Sequence, residues 1–182
     1  MKNKTLWTDT DGKPIQAHGG MILQHECTYY WYGENKDIAT VNRHVDFIGI
    51  SCYSSKDLEN WKNEGIVLSP FVNDPAHMLY TKNICERPRV LYNKSTGQFV
   101  MYTHADTADY YYAGVNVAVA SSPTGPFVWL KSFQPNRQDS RDLTLFQERD
   151  GSAWLIHSAN YNKTMNIARL SDDYLNVTGS YV

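Results

Sequence analysis

No run of apolar residues in this chain of 182 approaches the roughly 20 needed for a helix to cross a bilayer. No segment holds a 3.6-residue apolar period over about ten positions, so no long helix is expected. Cysteine is scarce: Cys27, Cys52 and Cys85 are odd in number and contain no CxxC. That excludes a disulfide framework or zinc knuckle and leaves three small buried hydrophobes in a reducing compartment. The opening MKNKTLWTDTDG has lysines but no apolar stretch behind them. As written, the chain therefore reads as cytoplasmic, and it would be secreted if its natural N-terminus were longer. Sequons at Asn3, Asn93, Asn162 and Asn176 matter only for an exported protein. Charge of one sign is also lacking. Seventeen Lys and Arg stand against nineteen Asp and Glu, interspersed, for a net charge of -2. This excludes a basic footprint for nucleic acid, and nothing points to a membrane partner. No spaced His, Cys or carboxylate cluster is present, so no metal and no cofactor is expected.

What is abundant is aromatic. Phe, Trp and Tyr make up 13% of the chain, with thirteen tyrosines and five tryptophans. Half-buried strands favour such residues, and so do sites that meet the flat apolar face of a sugar ring. Short β-forming runs broken by Gly, Pro, Asn and Asp extend from end to end, and the expected class is all-β. One three-part pattern is written three times. The opening strands are HGGMILQ, ERPRVLYN and SRDLTLFQ; the second are TYYWYGE, QFVMYTH and AWLIHSAN. The third are GISCYSS, VAVASS and IARLSDD, each running into a polar corner. Ser54, Ser121 and Ser171 mark intervals of 67 and 50 residues. Recurrence of a small antiparallel unit is the pattern of a β-propeller, more than of a sandwich. The chain then reads as a single domain with blades at about 14–70, 84–133 and 138–182. The closing NVTGSYV stops where an outer strand should begin. Three blades are fewer than the four to eight that usually close a ring. Open blade edges therefore make self-association an expectation.

The innermost strands of a propeller face its channel, which places His18, Glu86 and Asp142 at a common mouth. The ends of the second strands add Glu34, His104 and Asn160. Paired carboxylates in one funnel are the equipment of glycoside hydrolysis. Arg87 and Arg141 lie beside Glu86 and Asp142, where a cation would hold a carboxylate's geometry and lower its pKa. Each has a structural alternative: an ion pair at a blade corner, an Asp turn, a satisfied histidine.

The segments DTDGKPIQAHGGMIL, YYWYGENK, ISCYSSKDLENWKNEGIVL, CERPRVLYN, SSPTGPF, DSRDLTLF and ARLSDDYL together resemble glycoside hydrolase family 43. The likeness is to its exo-β-1,3-galactanase branch, and SSKDLxxW and DSRDxTLF are its most specific parts. It implies a partial five-bladed β-propeller, about three blades of which lie in this chain. It also implies inverting release of terminal galactose from β-1,3-galactan or arabinogalactan side chains. Carried over position by position, Glu86 stands beside the terminal galactose, Asp142 orients and tunes the acid, and Glu34 contacts substrate. His18 occupies the place of the aspartate base of other branches. Asn160 falls at the expected general acid, and an amide has no proton to give a leaving oxygen. Loss of an acid costs about 10²- to 10⁴-fold in rate. Arg141 and His104 join the sugar contacts, and Trp31, Tyr53 and Tyr112 are candidates for ring stacking. Asn160 and the missing blades would impair activity, and a non-catalytic galactan-binding module or an inactive relic is the alternative. The implied partner is an oligo- or polysaccharide.

Overall fold

The computed structural model describes residues 6–41 and 44–182; the sequon at Asn3 lies outside them. Twelve strands form three four-stranded antiparallel sheets. Blade 1 holds β1 (His18–His25), β2 (Thr28–Glu34), β3 (Ile50–Ser55) and β4 (Lys62–Leu68). Blade 2 holds β5 (Ile84–Asn93), β6 (Gln98–Asp106), β7 (Gly114–Ala120) and β8 (Val128–Phe133). Blade 3 holds β9 (Leu143–Gln147), β10 (Ala153–Ala159), β11 (Thr164–Leu170) and β12 (Val177–Tyr181). Strand order follows chain order in each sheet, and the first strands β1, β5 and β9 pack side by side about the axis. This is a partial five-bladed β-propeller with three blades. The outer strand expected to be cut off is present: Val177–Tyr181 pairs with β11 through Ala168↔Tyr181 and Leu170↔Val177. One short 3-10 turn, Pro135–Arg137, links blades 2 and 3.

Two cores separate the three blades. Tyr32, Ile50, Cys52, Leu79, Val90 and Met101 fill the first. Tyr102, Val115, Val117, Leu143 and Leu155 fill the second. Strand alternation decides which aromatics join them, because successive side chains point to opposite faces. Tyr32 therefore turns towards blade 2, whereas Trp31 turns away and packs edge-on between Trp7 and Trp61 at 5.2 Å each. A tyrosine hydroxyl spans each interface. Tyr32 donates to the Pro123 carbonyl at 2.6 Å, and Tyr102 donates to the Tyr174 carbonyl at 2.8 Å. Both acceptors lie in the polar corner of the following blade, so neighbouring sheets are tied where the third strand turns. Among the described residues, blades 1 and 3 each keep one face without a neighbouring sheet, where Ile22 and Phe146 are exposed. Of the cysteines, Cys52 and Cys85 are buried as expected, but Cys27 is exposed in the β1–β2 turn.

Candidate functional site

Pairing register brings the sequence candidates to one end of the blades. His18 lies opposite Glu34, and Glu86 opposite His104. In blade 3 the equivalent partners are Asp142 and Ser158, joined by Ser158 N–H to the Asp142 carbonyl at 2.9 Å. Asn160 therefore lies two residues beyond the position it was expected to hold, in the β10–β11 turn. It corresponds to Asp106 of blade 2, not to Glu34 or His104. Its backbone N–H donates to Asp139 at 2.6 Å, and no hydrogen bond among the described residues joins its side chain to Glu34, Glu86 or Asp142.

A β-bulge aims Glu86. The register of β5 slips between Glu86 and Arg89, and Arg87 takes a left-handed φ of 52°. The same slip occurs in β1 between His18 and Met21, with Gly19 at φ 58°. The bulge sends the Arg87 side chain across the axis, where Nε lies 2.5 Å from Asp142 Oδ1. Arg87, and not Arg141, is thus the cation at Asp142. Arg141 instead faces Asp106 at 3.6 Å and Asp139 at 3.8 Å, and lies 5.7 Å from the Tyr161 ring.

Glu34 and Glu86 line one hollow of about 190 Å³ between blades 1 and 2, together with Lys36, His44 and Tyr110. Their environments push them apart. Burial raises the Glu34 carboxyl above its ordinary pKa and the charge of Glu86 adds to this, while Lys36, 2.5 Å away, offsets only part. His104, with Nδ1 3.7 Å from its carboxylate, holds Glu86 below its ordinary value against partial burial, and the Tyr110 hydroxyl, donating at 3.1 Å, helps. The neighbouring carboxylate and burial in turn push Tyr110 up to about 12, burial being the larger cause. Two carboxyls in one hollow, one raised and one lowered, hold a proton unequally, a pairing suited to hydroxyl groups.

Asp142 lines a different hollow, about 520 Å³, with Arg87, Arg89, Ser158 and Asn162. Glu86 and Asp142 therefore share a mouth but not a cavity, and Arg87 is the link between them. Tyr53 is corrected more firmly. It is 2% exposed, and its hydroxyl accepts the Gln16 N–H at 3.0 Å, so its ring has no face for a sugar. His104 is likewise buried, 3% exposed with a carboxylate at each ring nitrogen, and cannot touch substrate. Trp31 and His18 line a third hollow of about 380 Å³ with Trp7, on the side of blade 1 away from Glu86. Tyr112 is half-buried in the β6–β7 loop, its ring edge against Gly114. Tyr110, Lys36, Asp106 and Asp139 were missed by the sequence reading. Tyr110 sits in the ADYYY loop at the mouth end of blade 2, and its aromatic run was the available signal. Among the described residues no group of three or more His, Cys, Asp or Glu is arranged to hold a metal, and no helix is long and apolar enough to cross a membrane.

A sequence profile of glycosyl hydrolases family 43 matches residues 16–182. The chain belongs to glycoside hydrolase family 43. Solved family structures align over almost all of it. The exo-β-1,3-galactanase of Phanerochaete chrysosporium, solved with galactose, is 39% identical over 100% of this chain and 42% of its own, with a TM-score of 0.91. A family 43 β-1,3-galactosidase solved with galactodeoxynojirimycin is 36% identical over 100% of this chain and 66% of its own, at 0.92. The Clostridium thermocellum exo-β-1,3-galactanase is 38% identical over 98% of this chain and 39% of its own, at 0.87. This family 43 chain thus spans less than two thirds of each of these relatives. Comparison with curated proteins gave no match.

Proposed function

We propose that this family 43 chain acts as a glycoside hydrolase on terminal β-1,3-linked galactose of galactan side chains, with inversion as the family resemblance implies. What supports the reading is the Glu34–Glu86 hollow, where burial raises one carboxyl while His104 and Tyr110 lower the other. In this reading Glu86 accepts from the sugar's hydroxyls, Glu34 donates to one, and the Tyr110 ring edges the pocket. Asp142, held by Arg87, meets the sugar from the neighbouring hollow. The relatives solved with galactose and, as a Glu→Gln variant, with β-1,3-galactotriose support a galactan-type oligosaccharide as the partner. The test is galactose release from β-1,3-galactan or an aryl β-galactoside. Release above that of a Glu86→Gln control supports hydrolysis; equal release sinks it.

A second reading, recognition without hydrolysis, is favoured by blade 3: the residue equivalent to Glu34 and His104 is Ser158, which has no acidic proton to give, and Asn160 lies beyond it with its backbone N–H on Asp139. Calorimetry with galactose and β-1,3-galactobiose separates the two, since affinity without turnover selects binding alone. Self-association through the uncovered faces of blades 1 and 3 belongs to either reading, and light scattering measures it.

A further inference from the structure

Asp106, at the end of β6, is a carboxylate with no exposed surface, and a buried charge is retained only where partners compensate it. Its two oxygens are used differently. Oδ1 accepts the N–H of Thr107 at 3.0 Å and of Ala113 at 2.9 Å, which closes the β6–β7 loop. Oδ2 is turned to His104 Nε2 at 3.2 Å and to Arg141 Nη1 at 3.6 Å. On the other side of the imidazole, Nδ1 lies 3.7 Å from Glu86 Oε2. Loop closure needs one acceptor oxygen, which an asparagine would supply equally well. It does not account for the second.

The three blades explain the second oxygen. Residues two apart on a strand share a face; His104 and Asp106 are such a pair at the mouth end of β6, and the matching positions of blades 1 and 3 run from the second strand into the loop after it. The pairs are Glu34 with Lys36, His104 with Asp106, and Ser158 with Asn160. They match in charge: an acid with a base, a base with an acid, a neutral residue with a neutral one. Where the histidine is replaced by serine, the aspartate is replaced by an amide. Asp106 thus goes with the imidazole, and the imidazole goes with Glu86.

We propose that Asp106 is a positioning residue that acts through His104 to fix the Glu86 carboxylate in its hollow. The inference rests on the reading that Glu86 meets the sugar. Asp106 accepts the Nε2–H of His104, and the imidazole, carrying a proton on each nitrogen between the two carboxylates, presents Nδ1–H to Glu86. The charged and titratable groups around the imidazole are Glu86 from β5, Asp106 from its own strand, Tyr110 from the β6–β7 loop at a ring distance of 6.2 Å, and Arg141 from the segment before β9. Behind them stand Asp139 against Arg141, and Glu34 with Lys36 against Glu86.

The experiment follows the Glu86 side-chain carboxyl by ¹³C NMR through an acid titration, with no sugar present. Asp106→Asn preserves an oxygen for Thr107 and Ala113 and removes the acceptor at His104. Its expected effect is about tenfold tighter proton binding at Glu86, one pH unit in the midpoint. In a His104→Ser background, Asp106→Asn should move Glu86 no further, because the route is already cut. A Glu86 midpoint unmoved by Asp106→Asn, or shifts that simply add in the double variant, overturns the proposal. If Asp106→Asn does not fold, the wild-type protein decides. Long-range ¹H–¹⁵N spectra should show protons on both ring nitrogens of His104, with that on Nε2 protected from exchange, and an unprotonated Nε2 or Nδ1 overturns it. Galactose calorimetry on the same samples is independent of this outcome. Absence of binding removes the galactose reading, whereas the carboxyl titration alone judges the positioning.

Discussion

Removing the hydroxyl of Tyr102 tests whether the corner bonds set the geometry between blades. Tyr102 is fully buried, and its acceptor belongs to Tyr174, itself only 4% exposed. Tyr102→Phe therefore leaves a carbonyl that water cannot readily reach, at a cost of about 1–3 kcal/mol. Tyr32→Phe removes the matching bond at the first interface, but Pro123 is partly open, so water can replace the hydroxyl. That loss is the net value of a hydrogen bond, about 0.5–1.5 kcal/mol. For a domain of this size, melting should fall by about 2–4 °C for each kcal/mol, so Tyr102→Phe costs the larger shift. The two bonds lie at separate interfaces, and the double variant should add to within about 0.5 kcal/mol. Urea and thermal unfolding followed by circular dichroism measure all three. A neutral Tyr102→Phe, or a Tyr32→Phe that costs more, would refute the assignment of a dry and a wet corner.

Glu34 titrates above the ordinary carboxyl range when folded, so its contribution to stability is present below the unfolded pKa and is lost as pH rises through the folded one. Glu34→Gln should accordingly gain on the wild type between pH 4 and pH 8 in urea unfolding; a difference that is constant or shrinks contradicts the upward shift of Glu34. Asp139 holds the left-handed run Asn160–Asn162 by two backbone N–H bonds. Asp139→Ala should cost about 1–2 kcal/mol and speed amide exchange at Asn160 and Tyr161, and unchanged exchange rates would remove the clamp. Asn160→Glu should leave galactose release within about twofold, since that side chain lies outside the hollows, whereas a gain near the 10²-fold of a working acid would restore position 160 as the acid site.

The repeating pattern of opening strand, second strand and polar corner was legible because inner and middle strands are buried and written in β-formers. The outer strands Lys62–Leu68, Val128–Phe133 and Val177–Tyr181 were not. They lie at the sheet edges with mostly exposed or half-buried residues, so no apolar alternation marks them. In the site, Glu34 and Glu86 were readable as carboxylates ending or opening a strand. Asn160 was misplaced because the hairpin register, which equates Ser158 with His104, is invisible before the strands are paired. Tyr53 and Trp31 face each other across β2 and β3, yet Gln16 covers one and tryptophans the other. Such covering by a distant segment leaves no local signature.

The bulge at the start of β1 and β5 has a consequence for the axis. Glycine fills the irregular position in blade 1 without strain and projects nothing. Arginine fills it in blade 2, accepting an uncommon backbone conformation for the sake of a guanidinium that reaches blade 3. Blade 3 contributes the anion that receives it. Two copies of one bulge and a regular third strand thus line the channel with an empty notch, a positive arm and a negative socket, and a repeating scaffold acquires a lopsided interior.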